Sequence, residues 1–264
     1  MFTVQAEENS LRNNTPGNMQ NDIVDCQKIK NDLLKMICHE LRTPVSAVIG
    51  FTEILKDSES SDDNMSILDT MLMASKKIRD LSDSALLLTQ IDPEKIGESM
   101  RPTKISSIIE YAITDVNEEY TGKYIRISTP ATYENTEIVI EPGLIKEVIK
   151  IILATIISSG NNFSTIKLKI TENTNTVVLA IGYTGNERTA DQTKKLKDCL
   201  TGNLQVLQSD LQCLRLTIAH YILKLHNAEV KILENTGYEA EVNMIFPINF
   251  AKRNALNQLL SQLN

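Results

Sequence analysis

The sequence predicts an α+β chain, a long-helix hairpin followed by an α/β sandwich. Two observations carry this. Apolar residues recur three and four apart from Asp22 to about Asp57, and again from about Met65 to Ile91. From about Arg101 the texture changes to short β-branched runs alternating with helical stretches, which a mixed sheet covered on one face by helices satisfies economically.

The elements follow in order. Residues 1–21 are polar, rich in Asn and interrupted by Pro16-Gly17, and are expected to form a disordered arm. The helical hairpin occupies residues 22–97. Its first helix carries a seam through Leu34, Ile37, Leu41, Pro44, Val48, Phe51 and Leu55. After the polar loop DSESSDDN, the second helix places Leu68, Met71, Leu72, Ile78, Leu81, Ala85 and Leu88 on one side, and Pro93 stops it. Such a hairpin leaves an apolar stripe uncovered, so it is expected to dimerise into a four-helix bundle.

Residues 98–250 read as the α+β domain. SSIIEYAITDVNEEY is a helix, KYIRIS and TEIVIE are strands, and PGLIKEVIKIILATIISS is a helix. IKLKIT and TVVLAIG are strands around the turn ENTN, LRLTIAHYILKLH is a helix, and EVKILEN with EVNMIFP closes as a hairpin. Residues 251–264 read as a short amphipathic helical tail.

Composition narrows the function. Twenty-seven basic against thirty-four acidic residues give a net charge of −7, and aromatic content is 5% with no Trp. Neither an anionic membrane nor a nucleic acid is an expected partner. Cys26, Cys38, Cys199 and Cys213 lack CxxC spacing and read as free thiols in a reducing compartment. The start has no signal-peptide pattern, and the apolar run from Val148 to Ile157 is too short to span a bilayer, so a soluble, cytoplasmic protein is expected.

The stretch ICHELRTPVSAVIG, residues 37–50, carries the candidate chemistry. In the seam above, His39 falls on the opposite face, away from Ile37 and Leu41. Thr43 lies four residues on, within side-chain reach, and Glu40 is adjacent. Pro44 has no N–H, so it frees the carbonyl of Glu40 and bends the helix there. The residues alone describe an exposed imidazole beside an acid, with a hydroxyl one turn away. They fit equally an ordinary surface histidine near a proline bend.

MICHELRTPVSAVIGFTEIL resembles the phosphoacceptor box of bacterial sensor histidine kinases, whose dimerisation helix carries HELRTP before an apolar run; His39 to Pro44 match without a gap. The resemblance implies that His39 accepts a phosphoryl group through a neutral imidazole nitrogen. It implies that Glu40 orients the imidazole as a general base and that Thr43 places water for the reverse, phosphatase reaction. It implies that the second domain is of the kinase ATP-binding (GHKL) type, where Mg-ATP is held by an Asn-bearing helix, an Asp-x-Gly-x-Gly turn and a Gly-x-Gly turn.

This chain departs from that pattern. Ile151 and Thr155 stand at the asparagine positions, and Ser158 stands for a lysine. In YTGNE, Tyr183 replaces the adenine-reading Asp before Thr184 and Gly185, and Glu187 replaces the second glycine. Cys213 and Arg215 replace the phosphate-turn glycines, where Arg215 is expected to be a solvated surface residue. His220 and His226 on the last helix read as structural.

The expectation is therefore a homodimeric phosphorelay protein whose partners are response-regulator receiver domains. His39 would pass phosphoryl groups between receiver aspartates, and no cofactor is expected. The rival readings are an ATP-dependent cytosolic histidine kinase, which would need Mg-ATP, a receiver phosphatase, and a non-catalytic pseudokinase scaffold.

Overall fold

The computed structural model describes residues 16–57, 64–119, 126–128, 136–159, 165–184, 190–202, 211–233 and 240–248. The chain divides into two compact units, residues 1–95 and 96–264.

Unit one is a hairpin of α1 (Pro16–Asp57) and α2 (Asn64–Gln90). Helix α1 begins inside the stretch expected to be a disordered arm: residues 16–21 are helical, and Pro16 stands at the first helical position, where its missing N–H costs nothing. Residues 1–15 lie outside the described residues.

The seam between the two helices runs one residue off the expected register in part. On α1 it passes through Cys26, Leu33, Ile37 and Pro44, all buried, whereas Leu34 and Leu41 are half-buried. On α2 it passes through Leu81, Ser84 and Leu88. Leu68 and Leu72, expected on that side, are about half exposed, as are Ile49 and Ile54 on α1. The reason is geometric: a helix of 3.6 residues per turn drifts across a strict heptad, so one hairpin cannot bury every apolar position of two long helices. At the open end of the hairpin, Lys30 Nζ donates to the Ile91 carbonyl, satisfying a group that the end of α2 leaves without an intrahelical partner.

Unit two holds α3 (Ile96–Ser99), β1 (Arg101–Lys104), α4 (Ile105–Glu119), β2 (Arg126–Ser128), β3 (Glu137–Ile140), α5 (Pro142–Ser159), β4 (Thr165–Glu172), β5 (Thr176–Thr184), α6 (Ala190–Leu200), α7 (Leu211–Leu225), β6 (Glu229–Leu233) and β7 (Ala240–Pro247). The strands make a five-stranded sheet in the order β2-β4-β5-β7-β6, with β1 and β3 paired separately. Only β2 and β4 run parallel in the larger sheet. The expected strands and helices are present; β1, α3 and α6 were not foreseen, because none carries a long apolar period.

Strand register builds the core. Leu168, Ile181 and Val242 align across three strands, as do Ile170, Leu179 and Met244, and all six are buried. Lys167 and Lys169 alternate outward on β4, the period of two that leaves one sheet face polar. Helix α5 is apolar on most of its circumference, with Val148, Ile149, Ile152, Leu153, Ile156 and Ile157 buried, and it packs against both α4 and α7. Each large aliphatic side chain so removed from water contributes about 1.5–3 kcal/mol.

Two polar devices fix the helices in place. Glu141 caps α5: its carboxylate accepts from the N–H groups of Gly143 (3.2 Å) and Leu144 (2.5 Å), behind a proline at the first helical position. The Glu141 N–H donates to His226 Nε2 at 3.1 Å, and His226 Nδ1 donates to the Ile222 carbonyl at 2.7 Å. His226 is thus a neutral, buried pin between the end of α7 and the start of α5.

The cysteine expectation is corrected here. Cys199 and Cys213 form a disulfide, with Cα atoms 5.4 Å apart, while Cys26 and Cys38 keep their thiols. The pairing arises because α6 packs along α7 and brings together two buried side chains 14 residues apart, inside the usual span of a disulfide. That spacing carries no signal until α6 is known to exist. The C-terminal tail, residues 251–264, lies outside the described residues.

Burial holds both His226 and His220 below the usual histidine value of 6.5; hydrogen bonds to the carbonyls of Ile222 and Leu200 oppose this. The unfolded chain takes up these protons at about pH 6.5 and the fold refuses them, so acid favours unfolding below that value. Urea midpoints of unit two should fall between about pH 7.5 and pH 5.5, and His226→Gln should weaken the slope. An equally steep fall in His226→Gln would show that this residue contributes nothing to the acid sensitivity.

Candidate functional site

The site is built on α1 around His39, and its geometry is set by the helix seam. Stepping four and three along the seam of α1 gives the buried Leu33 and Ile37, the half-buried Glu40 and the buried Pro44. The same stepping on α2 gives Lys77, Leu81, Ser84 and Leu88. One level of an otherwise largely apolar seam therefore holds a carboxylate and an ammonium. Lys77 Nζ lies 3.6 Å from Glu40 Oε2, and the two side chains retain 33% and 21% of their exposure.

His39 immediately precedes Glu40 on α1 and points outward, with its side chain 76% exposed. Its Nδ1 lies 3.6 Å from Glu40 Oε1, so the two oxygens of one carboxylate are divided between the imidazole and the lysine. This separation is longer than a hydrogen bond, and a small rotation of either side chain closes it. Because Nδ1 is the nitrogen nearer Glu40, Nε2 is the one left to face solvent. Thr43 is exposed one turn further along the same helix, and Pro44 is buried beneath it in the seam. The proline also breaks the backbone bond that the Glu40 carbonyl would otherwise accept.

His39 and Glu40 are thus brought together, and Thr43 shares their helix. Lys77 was missed by the sequence reading, which placed its neighbour Ile78 on the stripe. The signal was present: stepping back four, three and four from Leu88 reaches Lys77.

In unit two, the positions where Mg-ATP ligands were sought are occupied as follows. Ile151 and Thr155 are buried on α5, and the Thr155 hydroxyl donates to the Ile151 carbonyl at 2.8 Å. The Ser158 hydroxyl donates to the Thr155 carbonyl at 3.1 Å and accepts from the Gln212 side-chain amide, joining α5 to α7. Tyr183 is buried at the end of β5, where it pairs with Ile166 and Ala240 on the neighbouring strands. Cys213 is tied to Cys199, and Arg215 is half-buried rather than the solvated residue expected. Gly185 and Glu187 lie outside the described residues.

Comparison with known proteins bears on both units. Residues 29–94 match the His Kinase A (phospho-acceptor) domain, a span that holds His39, Glu40, Thr43 and Lys77. The ArcB homolog of Haemophilus influenzae, an aerobic respiration control sensor protein, is 29% identical over 80 residues, 30% of this chain and 25% of that protein. Probable histidine kinase 4 of Oryza sativa subsp. japonica is 25% identical over 121 residues, 46% of this chain and 12% of that protein. The chain therefore spans a quarter or less of the length of these relatives. Among solved structures, the Acinetobacter baumannii histidine kinase AdeS shares the fold with a TM-score of 0.55 at 15% identity, over 80% of this chain and 98% of that one. The histidine kinase ThkA, solved in complex with the response regulator protein TrrA, shares it at 0.60 and 13% identity, over 86% of this chain and 64% of that one.

No helix among the described residues is long and apolar enough to cross a membrane. Partly exposed ion pairs contribute about 0–1 kcal/mol, and a charged level in a helix seam is often replaceable by an apolar side chain without loss. Lys77→Met should therefore leave the urea stability of the hairpin within about 1 kcal/mol of the parent. A loss above about 3 kcal/mol would instead mark the pair as a buried structural bridge.

Proposed function

We propose that this chain, which is of the sensor histidine kinase type, relays phosphoryl groups through His39 between receiver-domain aspartates of response regulators. The observation that carries the reading is the exposed imidazole of His39 backed by the Glu40 carboxylate. A phosphoryl group arriving on a receiver aspartate is attacked by Nε2. The N–P bond forms, the acyl-phosphate O–P bond breaks, and the aspartate leaves as a carboxylate. The proton stays on Nδ1, where Glu40 balances the charge of the phosphorylated ring. The same steps in reverse load a second receiver.

The residue types support each role. A neutral imidazole is a competent nucleophile near pH 7, and a carboxylate beside Nδ1 orients the ring and offsets the positive charge it acquires on phosphorylation. Thr43 stands where its hydroxyl can hold a water for hydrolysis of a phosphorylated receiver. The solved complex of ThkA with TrrA supports receivers as partners. A homodimer is supported by the apolar residues that the single hairpin leaves exposed, including Val45, Ile49, Leu68, Leu72 and Met73.

We further propose that Mg-ATP binding has been lost from unit two. A hard cation needs several oxygen ligands, and Ile151 offers none while Thr155 offers a single buried hydroxyl. The Ser158–Gln212 bond and the Cys199–Cys213 link draw α5, α6 and α7 together around the positions where a nucleotide's ligands were sought. A working kinase in this chain would have to neutralise a triphosphate with none of those groups.

The relay is tested with a receiver domain phosphorylated by a small-molecule donor. Label should move to the parent chain and on to a second receiver, and His39→Gln should abolish transfer while leaving the oligomeric state unchanged. Thr43→Ala should retain transfer and lose release of free phosphate. Transfer that persists in His39→Gln would remove His39 from the reaction. Release of phosphate with no label on the chain would favour a phosphatase, and no reaction at all would favour a scaffold.

A further inference from the structure

We infer that Lys77 is a positioning residue for phosphoryl transfer at His39, acting through Glu40; the inference rests on the relay reading above. The geometry is a three-group line. Lys77 Nζ is 3.6 Å from Glu40 Oε2, and Glu40 Oε1 is 3.6 Å from His39 Nδ1. The base comes from the adjacent residue of the same helix, whereas the group that holds the base comes from the other helix of the hairpin.

The placement of Lys77 separates it from an ordinary surface cation. It occupies the stripe of α2 that continues through Leu81, Ser84 and Leu88, all buried. A lysine at such a position gives up apolar contact, and it specifies register when a partner meets it across the seam. That partner is Glu40. A glutamate in open water samples many rotamers, and this one is drawn to a fixed cation on the helix opposite. Its second oxygen is then turned toward the imidazole.

The chemical consequence concerns one proton. An ionised, oriented Glu40 keeps the neutral imidazole protonated at Nδ1, which leaves the Nε2 lone pair facing outward. When Nε2 takes the phosphoryl group, the ring keeps the Nδ1 proton and becomes cationic beside the carboxylate. Lys77 does not touch the phosphoryl group or the reacting nitrogen. Without it Glu40 is free to turn away, and the fraction of chains presenting Nε2 correctly falls.

Single-turnover transfer from a phosphorylated receiver should show this as a change in rate rather than in affinity. In the 264-residue chain, Lys77→Met should lower the maximal rate roughly tenfold, the scale of one pairwise coupling lost through Glu40, with the half-saturating receiver concentration unchanged. Lys77→Arg should restore most of it. In a Glu40→Gln background, Lys77→Met should have no further effect, because the two act through one path. The imidazole ¹⁵N spectrum supplies a second readout: the His39 signals should move from the Nδ1-protonated form toward mixed tautomers in Lys77→Met.

An unchanged rate in Lys77→Met, an equal loss in the Glu40→Gln background, or failure of the Arg variant to rescue would overturn the inference. Should the parent chain transfer nothing, the relay reading falls, and the spectrum alone then decides Lys77. A tautomer change in Lys77→Met keeps its positioning role, and an unchanged spectrum removes it.

Discussion

A carboxylate and an ammonium occupy one level of a helix seam that is otherwise largely apolar, and the arrangement of the site follows from that pairing. Glu40 and Lys77 meet between Ile37 and Pro44 on one helix and beside Leu81 on the other. With the Lys30 contact at Ile91, this pair joins the two antiparallel helices at two levels of the hairpin. In that arrangement the residue preceding Glu40 is carried outward. His39 is that residue, and its exposure follows from Glu40 standing half-buried in the seam. Pro44 adds a local bend one turn later and takes a hydrogen-bond partner from the Glu40 carbonyl. Chemistry at the histidine and packing of the hairpin are thus two results of one arrangement.

The second unit keeps an α+β frame while the positions that would meet a nucleotide serve the core. Apolar rows across β4, β5 and β7 and the nearly all-apolar α5 hold the frame. Tyr183, Ile151 and Cys213 are buried within it. Thr155 and Ser158 direct their hydroxyls to backbone carbonyls of their own helix, a common arrangement for such side chains within a helix.

The larger elements were legible because long periodic runs dominate local preference. The hairpin helices, α4, α5, α7 and the four longer strands follow directly from spacing and turn residues. The outward direction of His39 was legible too, since the expected and observed seams share Ile37 and Pro44. What escaped the sequence depended on tertiary pairing. Helix α6 is mostly polar, so its existence and the Cys199–Cys213 link it creates were hidden together. Lys77 was overlooked because a charged residue in an apolar stripe reads as a break in the pattern until its partner is found opposite. Leu68 and Leu72 were assigned to a seam that a single hairpin cannot supply.

The central claim is that His39 is loaded from a receiver aspartate and not from a nucleotide. Phosphopeptide mapping under alkaline conditions, after parallel exposure of the chain to a phosphorylated receiver and to Mg-ATP, addresses it most directly. Phosphohistidine at position 39 should appear with the receiver and be absent with Mg-ATP. Stoichiometric phosphorylation of His39 by Mg-ATP would contradict the account and restore nucleotide chemistry to the second unit.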